Sequence, residues 1–142
     1  MTADDNVARM HRVMQGWNAQ DPVSIDEFYA PDFVSRTPQR GVSPDREGFR
    51  QRVAQTAGAF PDFQLIVDDV LASGDSVVCR WTFVGTNTGS FAGMPATGAS
   101  VRFGGVTVDR MVDGKAVEEW EYSDQMALLQ QLGLMPGAEA PA

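Results

Sequence analysis

The densest run of ionisable side chains lies toward the C-terminal end: Asp109 and Arg110, then Glu118, Glu119 and Glu121. Carboxylates gathered in an apolar pocket raise one another's pKa, so that one becomes a neutral acid and another a base. That is the equipment of general acid/base catalysis. Cys79 is the only cysteine and His11 the only histidine, which excludes disulfides, zinc clusters, Cys/His nucleophile pairs and Ser/His/Asp triads. Carboxylates, Arg, Tyr, Trp and amides are what remain for chemistry.

Which carboxylates share a face depends on the turn around Val112-Asp113-Gly114. A three-residue loop with Gly114 as the bulge pairs Met111 with Lys115 and Thr107 with Glu119. Thr107, Asp109, Val117, Glu119 and Glu121 then share one face, and Val106, Val108, Arg110, Val112, Trp120 and Tyr122 the other. A two-residue turn would shift the register by one and bring Asp109, Glu118 and Trp120 together. The first arrangement is preferred, because Asp-Gly-Lys with a left-handed glycine suits the bulged loop. The competing reading of these glutamates is the solvated face of an edge strand.

The elements that must position them follow from periodicity. Val7, Met10, His11, Met14 and Trp17 recur at three and four, the stripe of a helix ending near Asn18. Ser24 and Glu27 form a capping box for a short helix presenting Ile25, Phe28 and Tyr29, which Pro31 stops. Ser43, Pro44 and Asp45 open a third helix with Phe49, Val53, Ala57 and Phe60 on one face, ended by Pro61. Strands are expected over Phe63 to Ala72, Ser76 to Gly85, Ser100 to Val112 and Ala116 to Ser123. Between the second and third lies a Gly/Thr/Pro-rich loop, Thr86 to Ala99, of a length usual for functional lids. A last short helix runs from Asp124 to Leu132 and closes at Gly133. Helices followed by a long antiparallel meander make an α+β fold, in which a cone-shaped curved sheet wraps the helices and encloses a pocket.

The chain has 142 residues, 11 Lys and Arg against 19 Asp and Glu, and a formal net charge of −8. One domain over 1–134 with a flexible tail over 135–142 is expected. With 43% hydrophobic residues it can close a core, while its acidic balance makes nucleic acid and anionic membrane poor partners. A polar N-terminus without an apolar run behind it is not a signal peptide, and a cytoplasmic protein is expected.

Three groups of residues resemble the SnoaL-like polyketide cyclase family. They are Phe33-Val-Ser-Arg-Thr-Pro38 with Gly41; Gly85-Thr-Asn-Thr-Gly89 through Phe91, Gly93, Pro95, Thr97 and Gly98; and Asp113-Gly-Lys with Glu118-Glu-Trp, Asp124 and Gln131-Leu-Gly133. The resemblance spans about Val7 to Leu134. It implies the NTF2-like cone, a cavity between sheet and helices, acid/base catalysis without metal or cofactor, and frequent dimers or higher oligomers. It also places Glu121 where the cyclases carry a general acid/base Asp, and Thr107 where they carry a cavity histidine. Arg36, Asn87 and Glu119 stand where the family often has His.

The expected catalytic set is therefore Glu121 as acid/base, with Asp109, Glu119 and Arg36 as electrostatic partners. Trp17, Tyr29, Phe33, Phe49, Trp81, Phe91 and Met94, with Asn87 and Thr107, are the expected substrate-binding residues, flat walls suited to fused rings. Trp120 and Tyr122 on the opposite face call for a cover, most simply a homodimer. His11 is expected to be packed or at the rim, and Cys79 a buried small hydrophobe. Three functions fit. The first is ring closure or related enolate chemistry on an aromatic polyketide. The second is hydroxylation of such a molecule with O₂ and a reductase partner. The third is a ligand-binding module without turnover.

Overall fold

The computed structural model describes residues 2–39 and 41–134; the tail expected beyond them lies outside the described residues. Helix α1 (Ala3–Asn18) opens with Thr2 and Asp5 exchanging side-chain and backbone hydrogen bonds at 3.1 and 3.0 Å, a reciprocal cap. It buries Met10, Val13, Met14 and Trp17. His11 is exposed instead, one residue and about 100° round from Met10.

The short helix α2 (Pro22–Phe28) starts earlier than the Ser24–Glu27 box suggests, because Asp21 is its cap and Pro22 its first residue. Nor does Pro31 stop it: the helix ends at Phe28, and Pro31 lies within strand β1 (Tyr29–Ser35), which the periodicity did not reveal. A proline is tolerated there because β1 is an edge strand. Helix α3 (Arg46–Ala59) is capped by Asp45, whose carboxylate accepts from the Gly48 N–H at 2.9 Å, while Ser43 hydrogen-bonds that same carboxylate.

Strands β2 (Gln64–Ser73), β3 (Ser76–Thr86), β4 (Ser100–Val112) and β5 (Lys115–Ser123) form the expected meander, followed by α4 (Gln125–Leu132). The sheet order is β1-β5-β4-β3-β2, curved and unclosed, with β1 parallel to β5 and every other pair antiparallel. The meander is thus extended by one parallel edge. Helix α1 packs on β2 and β3, and α3 on β1 and α2, so the core lies between helices and sheet. Two side-chain amides fasten helices to strands by bonding a backbone N–H and C=O together. Asn18 does so with Leu65 at 2.7 and 3.0 Å, and Gln131 with Arg102 at 2.6 and 2.9 Å. No helix among the described residues is long and apolar enough to cross a membrane.

The β4–β5 hairpin corrects both expected registers. Asp113 and Gly114, at φ 49° and 80°, make a two-residue turn that pairs Val112 with Lys115. Met111 then pairs with Ala116 but Arg110 with Glu118, which leaves Val117 as the extra residue of a bulge. The tight turn alone would have set Asp109 opposite Glu118. The bulge moves β5 on by one residue, so Asp109 pairs with Glu119 and Thr107 with Glu121. The carboxylates reach one face as expected, though by different partners.

Trp81 on β3 lies across Gly105 on β4, and its indole N–H donates to Thr107 Oγ1 at 2.9 Å. A Cβ at Gly105 would fall 2.3 Å from the indole ring. Gly105→Ala is therefore expected to destabilise the protein by about 1–3 kcal/mol, the usual cost of overpacking. Urea unfolding checks this; an unchanged midpoint would show that the indole can move aside.

Candidate active site

A cavity of about 1040 Å³ opens between the concave sheet face and helices α1 and α3. Trp17, Phe49, Trp81 and Phe91 line it as expected, joined by Phe60, Phe83 and Phe103. Tyr29, Thr107, Glu119 and Glu121 give it a polar end. The walls are interlocked rings: Phe83 stacks with Phe63 at 5.8 Å and Phe103 at 5.0 Å, and Phe91 meets Phe60 at 5.8 Å.

Five of the expected residues stand off the cavity wall. Arg36 is half-exposed on the outer face, where its Nε donates to Glu118 at 2.8 Å. Strand alternation explains this, for Ser35 points inward and its successor outward. Arg36 and then Arg110 hold the Glu118 carboxyl below its usual range. Phe33 is core, packed on Tyr29 and Phe49. Met94 is exposed at the loop tip, where Phe91 and Met94 exchange backbone hydrogen bonds. Asn87 is buried but does not line the cavity. Its amide donates to the Ala59 and Gly89 carbonyls, and its oxygen accepts from the N–H and hydroxyl of Thr97.

Asp109 also lies off the cavity wall, fully buried opposite Glu119. Neither of its oxygens has a hydrogen-bond partner among the described residues. Burial above all, then the charge of Glu119, pushes its pKa well above the usual carboxylate range. Glu119 does reach the cavity, with only 1% exposure. Its Oε1 accepts from the Tyr29 hydroxyl at 3.0 Å, while the buried Oε2 has no donor among the described residues. Burial and the neighbouring Glu121 charge push Glu119 up to about 8, against the opposing pull of the facing Asp109 carboxyl first, then of Arg52 and Tyr29. The Tyr29 phenol is itself driven well upward by burial and by Glu119, so it stays a donor.

Glu121 is held differently. Its Oε2 accepts from Arg52 Nη2 at 2.6 Å, and its backbone N–H donates to Thr37 Oγ1 at 2.7 Å. The guanidinium of Arg52 lies 5.8 Å from the Trp17 ring centroid and 5.6 Å from that of Phe49. Arg52, not Arg36, is thus the cation of the cavity. The signal was in the sequence: Arg52 comes three residues after Phe49, on the apolar face of its helix. Cys79 is buried as expected, its thiol pushed up to about 12 by burial.

A carboxyl whose proton affinity is balanced near neutral pH can both take and return a proton. Here it stands beside a fixed ion pair at one end of an aromatic cavity.

The sequence profile of the SnoaL-like polyketide cyclase family matches residues 7–132. No match is found among curated proteins. Solved structures with the same fold include TsrD of Streptomyces laurentii, 27% identical, with a TM-score of 0.86 over 95% of this chain and 99% of that one. AclR of Streptomyces galilaeus, a proposed hydroxylase, is 32% identical over 95% of this chain and 100% of that one, with a TM-score of 0.84. IdmH of Streptomyces antibioticus, a proposed polyketide cyclase, is 31% identical over 90% and 98%, with a TM-score of 0.79.

The raised carboxyls make stability depend on pH. Below the ordinary Glu value of 4.5 both folded and unfolded chains hold the Glu119 proton, and between 4.5 and about 8 only the folded chain does. Unfolding then releases that proton, so the Glu119 contribution to stability falls as pH rises through that window and changes no further above it. Glu119→Gln and Asp109→Asn should each flatten this slope in thermal unfolding. Variants with the wild-type slope would mean that these groups do not bind protons on folding.

Proposed function

Since the chain belongs to the SnoaL-like polyketide cyclase family, we propose that it closes a ring of a polycyclic aromatic polyketide intermediate by intramolecular aldol chemistry, using acid/base groups of its own. The observation that carries this reading is Glu119: a buried carboxyl, balanced near pH 8, at the polar end of an aromatic-walled cavity. As a carboxylate, Glu119 takes the proton from a carbon flanked by carbonyls. The resulting enolate carbon bonds to the carbonyl carbon at the other end of the open ring, and Glu119 returns the proton to the alkoxide that forms. Tyr29 holds Oε1, which leaves Oε2 for the transfer. Glu121, the residue first expected in this role, is committed to Arg52 and serves as half of a fixed ion pair. Asp109, off the cavity wall, is a positioning residue that faces Glu119 across the strand pair.

The likeness to AclR favours a second reading, hydroxylation. Glu119 would then deprotonate a bound hydroquinone or anthrone, which passes an electron to O₂. One oxygen atom enters the ring and the other leaves as water, with two electrons supplied by a reductase partner and NADPH. A homodimer through the outer face around Trp120 and Tyr122, where Tyr122 is 64% exposed, is proposed alongside.

Mass spectrometry of products from an aromatic polyketide with its last ring open is expected to show a cyclised product of unchanged mass, formed equally without oxygen. Oxygen-dependent gain of one oxygen atom on a closed tetracycle, with reductase and NADPH, would shift the assignment to hydroxylation. Binding without any turnover would leave a ligand-binding module. Glu119→Gln should lower kcat by about 10²–10⁴-fold, the usual worth of a general acid/base, and Glu121→Gln by less. Because the base form is needed, kcat/KM should climb with pH to about 8 and then level. A profile unchanged by Glu119→Gln would remove the role assigned to it.

A further inference from the structure

We infer that Arg52 is a recognition point for an ionised oxygen on the ligand, so that the cavity selects planar aromatic molecules bearing a carboxylate or a phenolate. The inference rests on the reading above that an aromatic ligand fills the cavity, but not on any turnover.

Among the described residues, Arg52 is the only Lys or Arg that lines the cavity. A guanidinium carries five N–H donors in a rigid fork. Only Nη2 is engaged by protein, on Glu121, and no other donor of Arg52 has a partner among the described residues. The side chain is 16% exposed, so the unused donors are within reach of a ligand in the cavity. Trp17 and Phe49 flank the guanidinium and limit its freedom, which orients the fork without occupying it. They also place aromatic surface beside the charge, the pairing that a fused ring with one acidic substituent would match.

The electrostatics permit an anion there. Glu119 and Asp109 are both pushed toward their protonated forms, so the guanidinium faces Glu121 as its one charged partner. The groups around Glu119 are Tyr29 from β1, Arg52 from α3, Asp109 from β4 and Glu121 from β5, and Cys79 on β3 faces Asp109. When Glu119 ionises, a second negative charge appears near the fork. An anionic ligand is then repelled and a neutral one is not.

The test is calorimetric titration of the full chain with anthraquinone-2-carboxylate, its methyl ester, and 2-hydroxyanthraquinone on both sides of its own phenol ionisation. The carboxylate is expected to bind roughly tenfold or more tightly than the ester, the worth of one hydrogen bond to a charged group. That advantage should shrink as pH rises through about 8, where Glu119 ionises. The hydroxy compound separates the two sources, since tighter binding only of its ionised form marks phenolate recognition. In the Arg52→Gln/Glu121→Gln double variant, which leaves no carboxylate stripped of its partner, the carboxylate and the ester should bind within about twofold of each other. Arg52→Lys, which keeps the charge without the fork, should retain part of the preference. Equal binding of carboxylate and ester by the wild-type chain, or a preference that survives in the double variant, would overturn the inference while leaving the aromatic cavity intact. Failure of all three probes to bind would overturn the inference together with the reading it rests on.

Discussion

Glu119 and Asp109 face each other across the β4–β5 pair, nearly or wholly out of reach of water, with the Tyr29 hydroxyl donating to Glu119. Two ionised carboxylates could not be held there, since each would lack hydration and repel the other. Protonation relieves that cost, and this constraint organises the rest of the site. The bulge at Val117 brings Glu119 rather than Glu118 opposite Asp109. The parallel edge strand β1 delivers Tyr29 to Oε1 and ties the Arg36 N–H to the Glu119 carbonyl at 2.8 Å. The third carboxylate, Glu121, stays beside them because Arg52 answers its charge.

Two of the four positions where the family resemblance pointed to imidazoles are given over to architecture. Thr107 accepts the indole N–H of Trp81, which fixes a wall of the cavity. Asn87 spends both ends of its amide on the loop that follows β3. Of the other two, Arg36 turns to the outer face and Glu119 carries a titrating side chain into the cavity. A carboxyl can titrate near neutrality here because its proton affinity is set by dryness rather than by residue type.

Most of the fold was legible because its signals are local. The stripe through Met10, Val13, Met14 and Trp17, the alternating strands and the left-handed Gly133 each depend on a few neighbouring residues. What escaped is non-local. Tyr29–Ser35 is short, carries a proline and becomes a strand only because β5 offers it an edge. The hairpin register turns on a bulge that no turn residue announces. Arg36 and Arg52 are alike as residue types, and only the inward or outward sense of β1 and α3 tells them apart. The carboxyl cluster was visible as composition. The division of labour between Glu119 and Glu121 was not, because it depends on which of them Arg52 can reach.

The loop from 87 to 99 is secured at its root, where Asn87 binds Ala59, Gly89 and Thr97, and is pinched at its tip by the Phe91–Met94 bridge. The residues between are mostly exposed and owe little to the hydrophobic core. Substitutions at the tip would therefore alter the rim of the cavity without drawing on the packing of the sheet and helices beneath. An anchored root and an exposed tip separate the rim's tolerance of substitution from the packing that holds Glu119 and Glu121 on β5.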